Sequence, residues 1–288
     1  MAIELDPALV TRLARAALDE DRAEDDVTTG ALVTPEQRGR GTVLAKAEGV
    51  IAGLAFAEAA FRLMSPDVTW RASVADGDRV RAGDTVAAVQ GSLDGLLRAE
   101  RTALNFLQHL SGVASAADRA AKTLEGTGCR LRDTRKTVPG LRLAEKYAAL
   151  MGGAETFRTD LADAVMIKDN HLAAVRARGL GIADAVRLAR EASSGPRIEV
   201  EVTSMEEARE AIAAGADELL LDNMTPDEVR SVVELAAESD SRPLLEASGG
   251  ITPEKAREYA ETGVDYVSLG AITHSAPALD LSLEIEAA

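Results

Sequence analysis

The stretch IEVEVTSMEEAREAIAAGADELLLDNMTPDEVRSVVELAAES, residues 198–239, contains one pattern twice: a short apolar run ending in an acid, then a helix-compatible segment. The runs IEVEV (198–202) and ELLLDN (218–223) have strand length and strand composition. The segments between and after them, MEEAREAIAAGA and TPDEVRSVVELAAES, are amphipathic, and Thr225-Pro226 places proline in a first helical turn. Working outward, the pattern recurs at CRLRDT (129–134), AVMIKD (164–169), LLEASGG (244–250) and YVSLGA (266–271), with a second helix start at Thr252-Pro253. Six strands alternating with helices imply parallel βαβ units with right-handed crossovers, in a barrel or an open doubly wound sheet.

The strand ends bear on that choice. Arg135 and Lys136, Lys168, Glu201, Asp222, Ser248 and Gly270 each follow or close one of the six runs. In a barrel these ends converge on one mouth, whereas an open sheet brings only the strands flanking its switch point to a ligand. Six units rather than eight predict a shortened or open barrel. Residues 41–90 read differently, with strand pieces TVLAKA, VTWRASV and DTVAAV around a helical GLAFAEAAFRLM, an α+β pattern.

Composition narrows the function classes. The chain has 288 residues, a net charge of −16 and 46% hydrophobic residues, an ordinary balance for a folded protein of one large or two modest domains. The acidic balance disfavours nucleic-acid binding, which needs a basic face; it fits either an ordinary solvated surface or a salty cytoplasm. No apolar run is long enough to span a membrane. The N-terminus reads as an amphipathic helix rather than a leader, and the single Cys129 has no internal disulfide partner, which together predict a cytoplasmic protein. His109, His171 and His274 lack zinc spacing, and no GxSxG elbow is present.

Against that acidity, RDTRKTVPGLR (132–142) carries four basic residues, one of them a lysine in a chain with only six. Arg135, Lys136, Arg158 and Lys168 suit a ligand with several carboxylates or phosphates, since arginine grips such groups bidentately and lysine acts as a point charge. Arg132 falls within a strand and reads as structural. Glu201 and Asp222 end neighbouring strands, where they could share a hydrated Mg2+ or sugar hydroxyls. Ser248, Gly249, Gly250 and Gly270, with a helix start after them, let backbone N–H groups approach a phosphate. A phosphorylated sugar meeting an anionic partner fits this set.

The series ERTALNFLQHLSGVAS, DTRKTVPGLRLAEKYA, Gly152-Gly153 with Arg158, DAVMIKDNH, EVEV, LLLDNM, LEASGGI and GVDYVSLGAITHS resembles the quinolinate phosphoribosyltransferase family over nearly the whole chain. The resemblance implies an N-terminal α/β sandwich domain over 1–111, an open six-stranded TIM-like α/β barrel over 112–274, and a C-terminal segment 275–288 packing back on the sandwich. It implies transfer of phosphoribosyl from phosphoribosyl pyrophosphate to quinolinate with Mg2+, giving nicotinate mononucleotide, pyrophosphate and CO2 in NAD synthesis. Carried over by position, Arg135, Lys136, Arg158 and Lys168 surround the quinolinate carboxylates and pyrophosphate. Glu201 and Asp222 face ribose and metal, Ser248, Gly249, Gly250 and Gly270 cradle the 5-phosphate, and Lys136, Lys168, Glu201 and Asp222 are the catalytic set. Arg101 is expected to complete the site of a neighbouring subunit in a homodimer or larger assembly. One position departs: the family usually has His-Arg where this chain has Phe157-Arg158. Phenylalanine can stack on a ring but cannot bind a carboxylate, so the change is read as tolerated or weakening. Two rival readings are a paralogue acting on another ring carboxylate and a non-catalytic ligand-binding barrel.

Overall fold

The computed structural model describes residues 3–192, 195 and 197–287, and the chain divides into two compact units. One comprises residues 2–118, 138–153 and 275–288; the other comprises 119–137 and 154–274. The division differs from a single break at 111/112. Helix α4 runs unbroken from Leu93 to Thr123, and residues 138–153 join the N-terminal unit.

The first unit opens with α1 (Pro7–Glu20), whose N-cap Asp6 accepts from Ala8 N–H, followed by α2 (Val27–Leu32). Strands β1 (Arg38–Ala45), β2 (Gly49–Val50), β3 (Thr69–Ala72), β4 (Arg79–Val80) and β5 (Thr85–Ser92) follow, with α3 (Leu54–Met64) between β2 and β3. Strand β1 alternates exposed and buried residues, so one face turns to the core. It pairs antiparallel with β5 on one side and with the last strand, Leu281–Ala287, on the other, and β3 borders β5. Val43, Val86 and Val89 from the sheet meet Phe61 of α3 and Leu96, Leu104 and Leu107 of α4 in one apolar core. Ser111 and Ser115 of α4 accept from Ala52 and Val50 N–H at 3.0 and 2.8 Å, tying the helix to the β2 segment. A further helix, α5 (Arg142–Met151), completes this unit.

The second unit is a parallel α/β sheet of six strands: β6 (Arg130–Arg132), β7 (Val165–Ile167), β8 (Ile198–Val202), β9 (Glu218–Asp222), β10 (Leu244–Ser248) and β11 (Tyr266–Ser268). Their order is β6-β11-β10-β9-β8-β7, an open barrel whose strands are those the sequence marks. The helices are α6 (Asp169–Arg176), α7 (Ile182–Ala192), α8 (Met205–Ala213), α9 (Pro226–Ala237), α10 (Ala256–Ala260) and α11 (Ala271–His274). Thr225 and Glu228 form a reciprocal capping box at the start of α9, with Pro226 in its first turn. Thr252-Pro253 behaves otherwise. Lys255 N–H bonds to the Thr252 carbonyl and Ala256 N–H to that of Pro253, so an i→i+3 turn precedes a five-residue helix beginning at Ala256. The expected helix N-terminus behind the glycines is therefore displaced, and the segment after β10 is a loop.

Candidate active site

Strand register sets the site's geometry. Ser248 aligns with Asp222 across β10 and β9, and Glu201 aligns with Leu220, two residues before Asp222. Ser248 and Asp222 thus end β10 and β9, and Glu201 is the penultimate residue of the adjacent β8. Glu201 accepts from Lys168 Nζ at 2.6 Å, which joins the end of β7 to that of β8. Lys168 keeps 42% of its side chain exposed while Glu201 keeps 10%, so the ammonium faces outward from a largely covered carboxylate. The pair is held from behind: His171 Nδ1 accepts from Lys168 N–H at 2.9 Å.

At the glycine loop, Gly249 has φ +90° and Gly250 φ +61°, both in the left-handed region. A Cβ on Gly249 would lie 2.5 Å from the backbone nitrogen of Asn223, so only glycine permits the approach of these two loops. Asn223 itself has φ +56°, gives its N–H to the Ser248 carbonyl at 3.0 Å, and donates from its side chain to Asp222 Oδ2 at 2.7 Å. Sequence reading passed over Asn223, although asparagine after a strand-end acid is a recognisable left-handed turn signal.

Lys136 and Gly270 meet across β6 and β11. A Cβ on Gly270 would lie 2.9 Å from Lys136 Cδ, and Thr273 Oγ1 donates to the Lys136 carbonyl at 2.7 Å. Arg158 is buried; Nη1 donates to the Ala164 carbonyl at 3.3 Å and Nη2 contacts Met166 Sδ at 3.1 Å. Burial, and after it the positive charge of Arg135, pull Arg158 below its ordinary value. The Nε atoms of Arg135 and Arg158 are both buried without a hydrogen-bond partner. Two neighbouring guanidiniums that repel each other, both with a buried Nε that makes no hydrogen bond, leave this part of the barrel with an excess of positive charge.

The barrel interior holds a cluster that the sequence reading did not assemble. Arg132 Nη1 donates to Glu218 Oε2 at 2.9 Å, bonds Glu246 Oε2, and lies 3.8 Å from Glu199 Oε1. All four residues are buried. Arg132 thus proves structural in surroundings, stacked 3.5 Å from the Tyr266 ring centroid and 5.2 Å from that of Phe157. Phe157 is buried, and its ring lies against the guanidiniums of the buried Arg132 and the half-exposed Arg197. The alternation in IEVEV was the available signal, since it puts Glu199 on the same face as Glu201.

Glu199, Glu218 and Glu246 are the three-carboxylate group among the described residues close enough to hold a metal ion, with donor atoms within 4.8 Å of one another. The Arg132 guanidinium already takes the cation's place there. Glu201, largely covered and bonded to Lys168, and Asp222, partly exposed, lie on neighbouring strands and offer hard oxygen donors of the kind Mg2+ accepts.

Arg101 belongs to the other unit, exposed on α4. With Thr102, Asn105 and His109 it lines a cavity of about 590 Å3 that Leu13 of α1 and Pro139 also border. In that unit His109 Nε2 pairs with Glu145 at 2.8 Å, and the other carboxylate oxygen of Glu145 accepts from Val138 N–H at 3.1 Å. Among the described residues no helix is long and apolar enough to cross a membrane.

Comparison with known proteins places this geometry in context. Residues 26–111 match the model of the quinolinate phosphoribosyl transferase N-terminal domain, and residues 113–284 that of its C-terminal domain. A probable carboxylating nicotinate-nucleotide pyrophosphorylase of Bacillus subtilis is 41% identical over 91% of this chain and 90% of its own. The carboxylating nicotinate-nucleotide pyrophosphorylase of Rattus norvegicus is 39% identical over 98% and 93%. The solved nicotinate-nucleotide pyrophosphorylase from Francisella tularensis superposes with a TM-score of 0.92 at 36% identity, covering 98% of each chain. The two domain models, their order and the shared open barrel agree, and the chain belongs to the quinolinate phosphoribosyl transferase family.

Proposed function

We propose that the chain joins quinolinate to phosphoribosyl pyrophosphate and decarboxylates the adduct, releasing nicotinate mononucleotide, pyrophosphate and CO2 for NAD synthesis. The observation that carries this reading is the pair of mutually repelling guanidiniums, Arg135 and Arg158, at the end of a barrel whose other strands bring Lys168–Glu201, Asp222 and a glycine loop. The pyridine dicarboxylate is the anion those guanidiniums take. Family relatives named as carboxylating nicotinate-nucleotide pyrophosphorylases support the same substrate.

In this reading the loop at Ser248–Gly250 and the backbone at Gly270 bind the 5-phosphate through N–H groups, with room secured by the missing side chains. Asp222 and Glu201 face the ribose hydroxyls and would hold Mg2+ through carboxylate oxygens. The ion would offset negative charge on the pyrophosphate, as hard divalent cations do for phosphates. Lys136 and Lys168 stabilise charge on the departing pyrophosphate, while the arginines hold the ring nitrogen in line with C1 of a cation-like ribose. The new N–C bond leaves the ring nitrogen positive. That charge stabilises the carbanion left on the ring carbon when the adjacent carboxylate departs as CO2, and a proton from solvent then adds to that carbon in the carboxylate's place. The glycosyl step needs no dedicated proton donor.

We place the protein in the cytoplasm as a homodimer or larger assembly, with Arg101 completing the site of a second copy. Incubation with quinolinate, phosphoribosyl pyrophosphate and Mg2+ should yield nicotinate mononucleotide and pyrophosphate in equal amounts; turnover of a different pyridine acid alone would favour a paralogue. Mixing Arg101→Ala with Lys136→Ala subunits should restore part of the activity, and a failure to complement would count against a shared site.

A further inference from the structure

Among the described residues of the barrel interior, Glu199 is the carboxyl that makes no hydrogen bond, its contact with Arg132 being an ion pair only. Arg132 serves Glu218 and Glu246, and Arg197 also bonds Glu218, but neither oxygen of the fully buried Glu199 has a hydrogen-bond partner. The nearest Arg132 nitrogen, at 3.8 Å, is beyond hydrogen-bonding reach. Buried polar groups are rarely left so, and an orphaned one calls for an explanation.

The strand register supplies the other half. Glu199 of β8 aligns with Met166 of β7, and aligned residues of neighbouring strands project from one face about 5 Å apart. Arg158 rests its Nη2 on the Met166 sulfur at 3.1 Å, while its buried Nε has no partner. Arg158, resting on Met166, thus brings a buried donor without a hydrogen bond beside the strand position aligned with Glu199, a buried acceptor that also has none, and each group feels the other's charge.

We infer that Glu199 is a positioning residue that holds the Nε edge of Arg158. Arg158 Nη1 uses one N–H on the Ala164 carbonyl and Nη2 one on Met166, so each terminal nitrogen keeps a second N–H. With Nε held from below, those two form the fork that grips a carboxylate. This rests on Arg158 being a ligand for the anionic ring, as proposed above. Glu199 also sits two residues before Glu201 on one strand face, so a single strand orients both the arginine and the Lys168 partner.

The test measures the kinetics of Glu199→Leu, Glu199→Gln and Arg158→Ala with quinolinate and phosphoribosyl pyrophosphate as variable substrates. Leucine removes the acceptor in a shape close to glutamate and is expected to raise the quinolinate KM by about ten-fold or more, the scale of one charge-assisted hydrogen bond, with the donor KM changed less than about two-fold. Glutamine keeps an acceptor oxygen and should recover most of that loss. In the Glu199→Leu/Arg158→Ala double variant the losses should not add. An unchanged quinolinate KM in the leucine variant, parallel rises for both substrates, or full additivity would overturn the inference. Arg158→Ala with an unaltered quinolinate KM would overturn the ligand role of Arg158 and this inference with it, whereas an effect of Arg158→Ala without one of Glu199→Leu would sink the positioning role alone. Should leucine not fold, Glu199→Asp, which withdraws the acceptor by one methylene, carries the same prediction at smaller amplitude.

Discussion

Replacing Arg132 by methionine removes the cation from the centre of three buried carboxyls. The guanidinium touches Glu218 at 2.9 Å and bonds Glu246, with Glu199 at 3.8 Å, and all four side chains are buried. Breaking a buried ionic group by removing one partner costs about 3–5 kcal/mol, because the remaining charges stay in a poorly solvating interior. For a barrel unit of this size that is a fall in Tm of about 6–20 °C. The loss should depend on pH in a defined direction. Burial pushes Glu199, and less strongly Glu246, above the ordinary glutamate value even with Arg132 present, and Arg132 acts to lower both. Between the unfolded value of 4.5 and those raised values the folded state binds more protons, so wild-type stability falls as pH rises, by about 1.4 kcal/mol per unit for each group. Without Arg132 both carboxyls rise further, so the variant should be most impaired above neutrality and approach the wild type as pH falls toward 5. Thermal melts of both proteins across pH 5 to 9 check this. A deficit below about 1 kcal/mol, the size expected of an exposed pair, or a deficit independent of pH, would refute the argument.

Three further outcomes follow from the geometry. Lys136→Ala should lower kcat by about 10²–10³ with an unchanged Tm, because its exposed ammonium serves leaving-group charge and its carbonyl, not its side chain, takes the Thr273 bond. Gly249→Ala should raise the KM for phosphoribosyl pyrophosphate and cost about 1–3 kcal/mol of stability, since the added Cβ meets the Asn223 nitrogen at a φ of +90°. Cys129, whose thiol burial pushes up to about 12, should resist thiol reagents at pH 8 in the folded protein and react once urea exposes it.

Much of the barrel was legible because parallel strands buried on both faces read as apolar runs, and each run here is closed or followed by a polar residue or a glycine. Lys168, Glu201 and Asp222 stood out for that reason, and the structure sets them at or near the ends of adjacent strands. The short 3₁₀-type turn before α10 was not, because Thr-Pro marks a turn and a helix start equally well. Glu145 escaped notice inside an amphipathic helix; nothing local marks an acid that will be buried against His109 and the Val138 amide. The interior cluster was hidden differently. Arg132, Glu218 and Glu246 lie 86 and 114 residues apart along the chain, and only strand register brings them together. Phe157 shows the same effect: as a motif departure it suggested a ring-stacking or weakened site, but its ring faces Arg132 and Arg197.

In the proposed reaction the barrel couples phosphoribosyl transfer to loss of the ring carboxylate next to the nitrogen. The most direct measurement uses quinolinate labelled in that carboxylate and follows labelled CO2 with and without phosphoribosyl pyrophosphate. Labelled CO2 should be released only when the donor and Mg2+ are both present, one CO2 for each pyrophosphate. Release without the donor, or pyrophosphate formation with the label retained in the product, would contradict it.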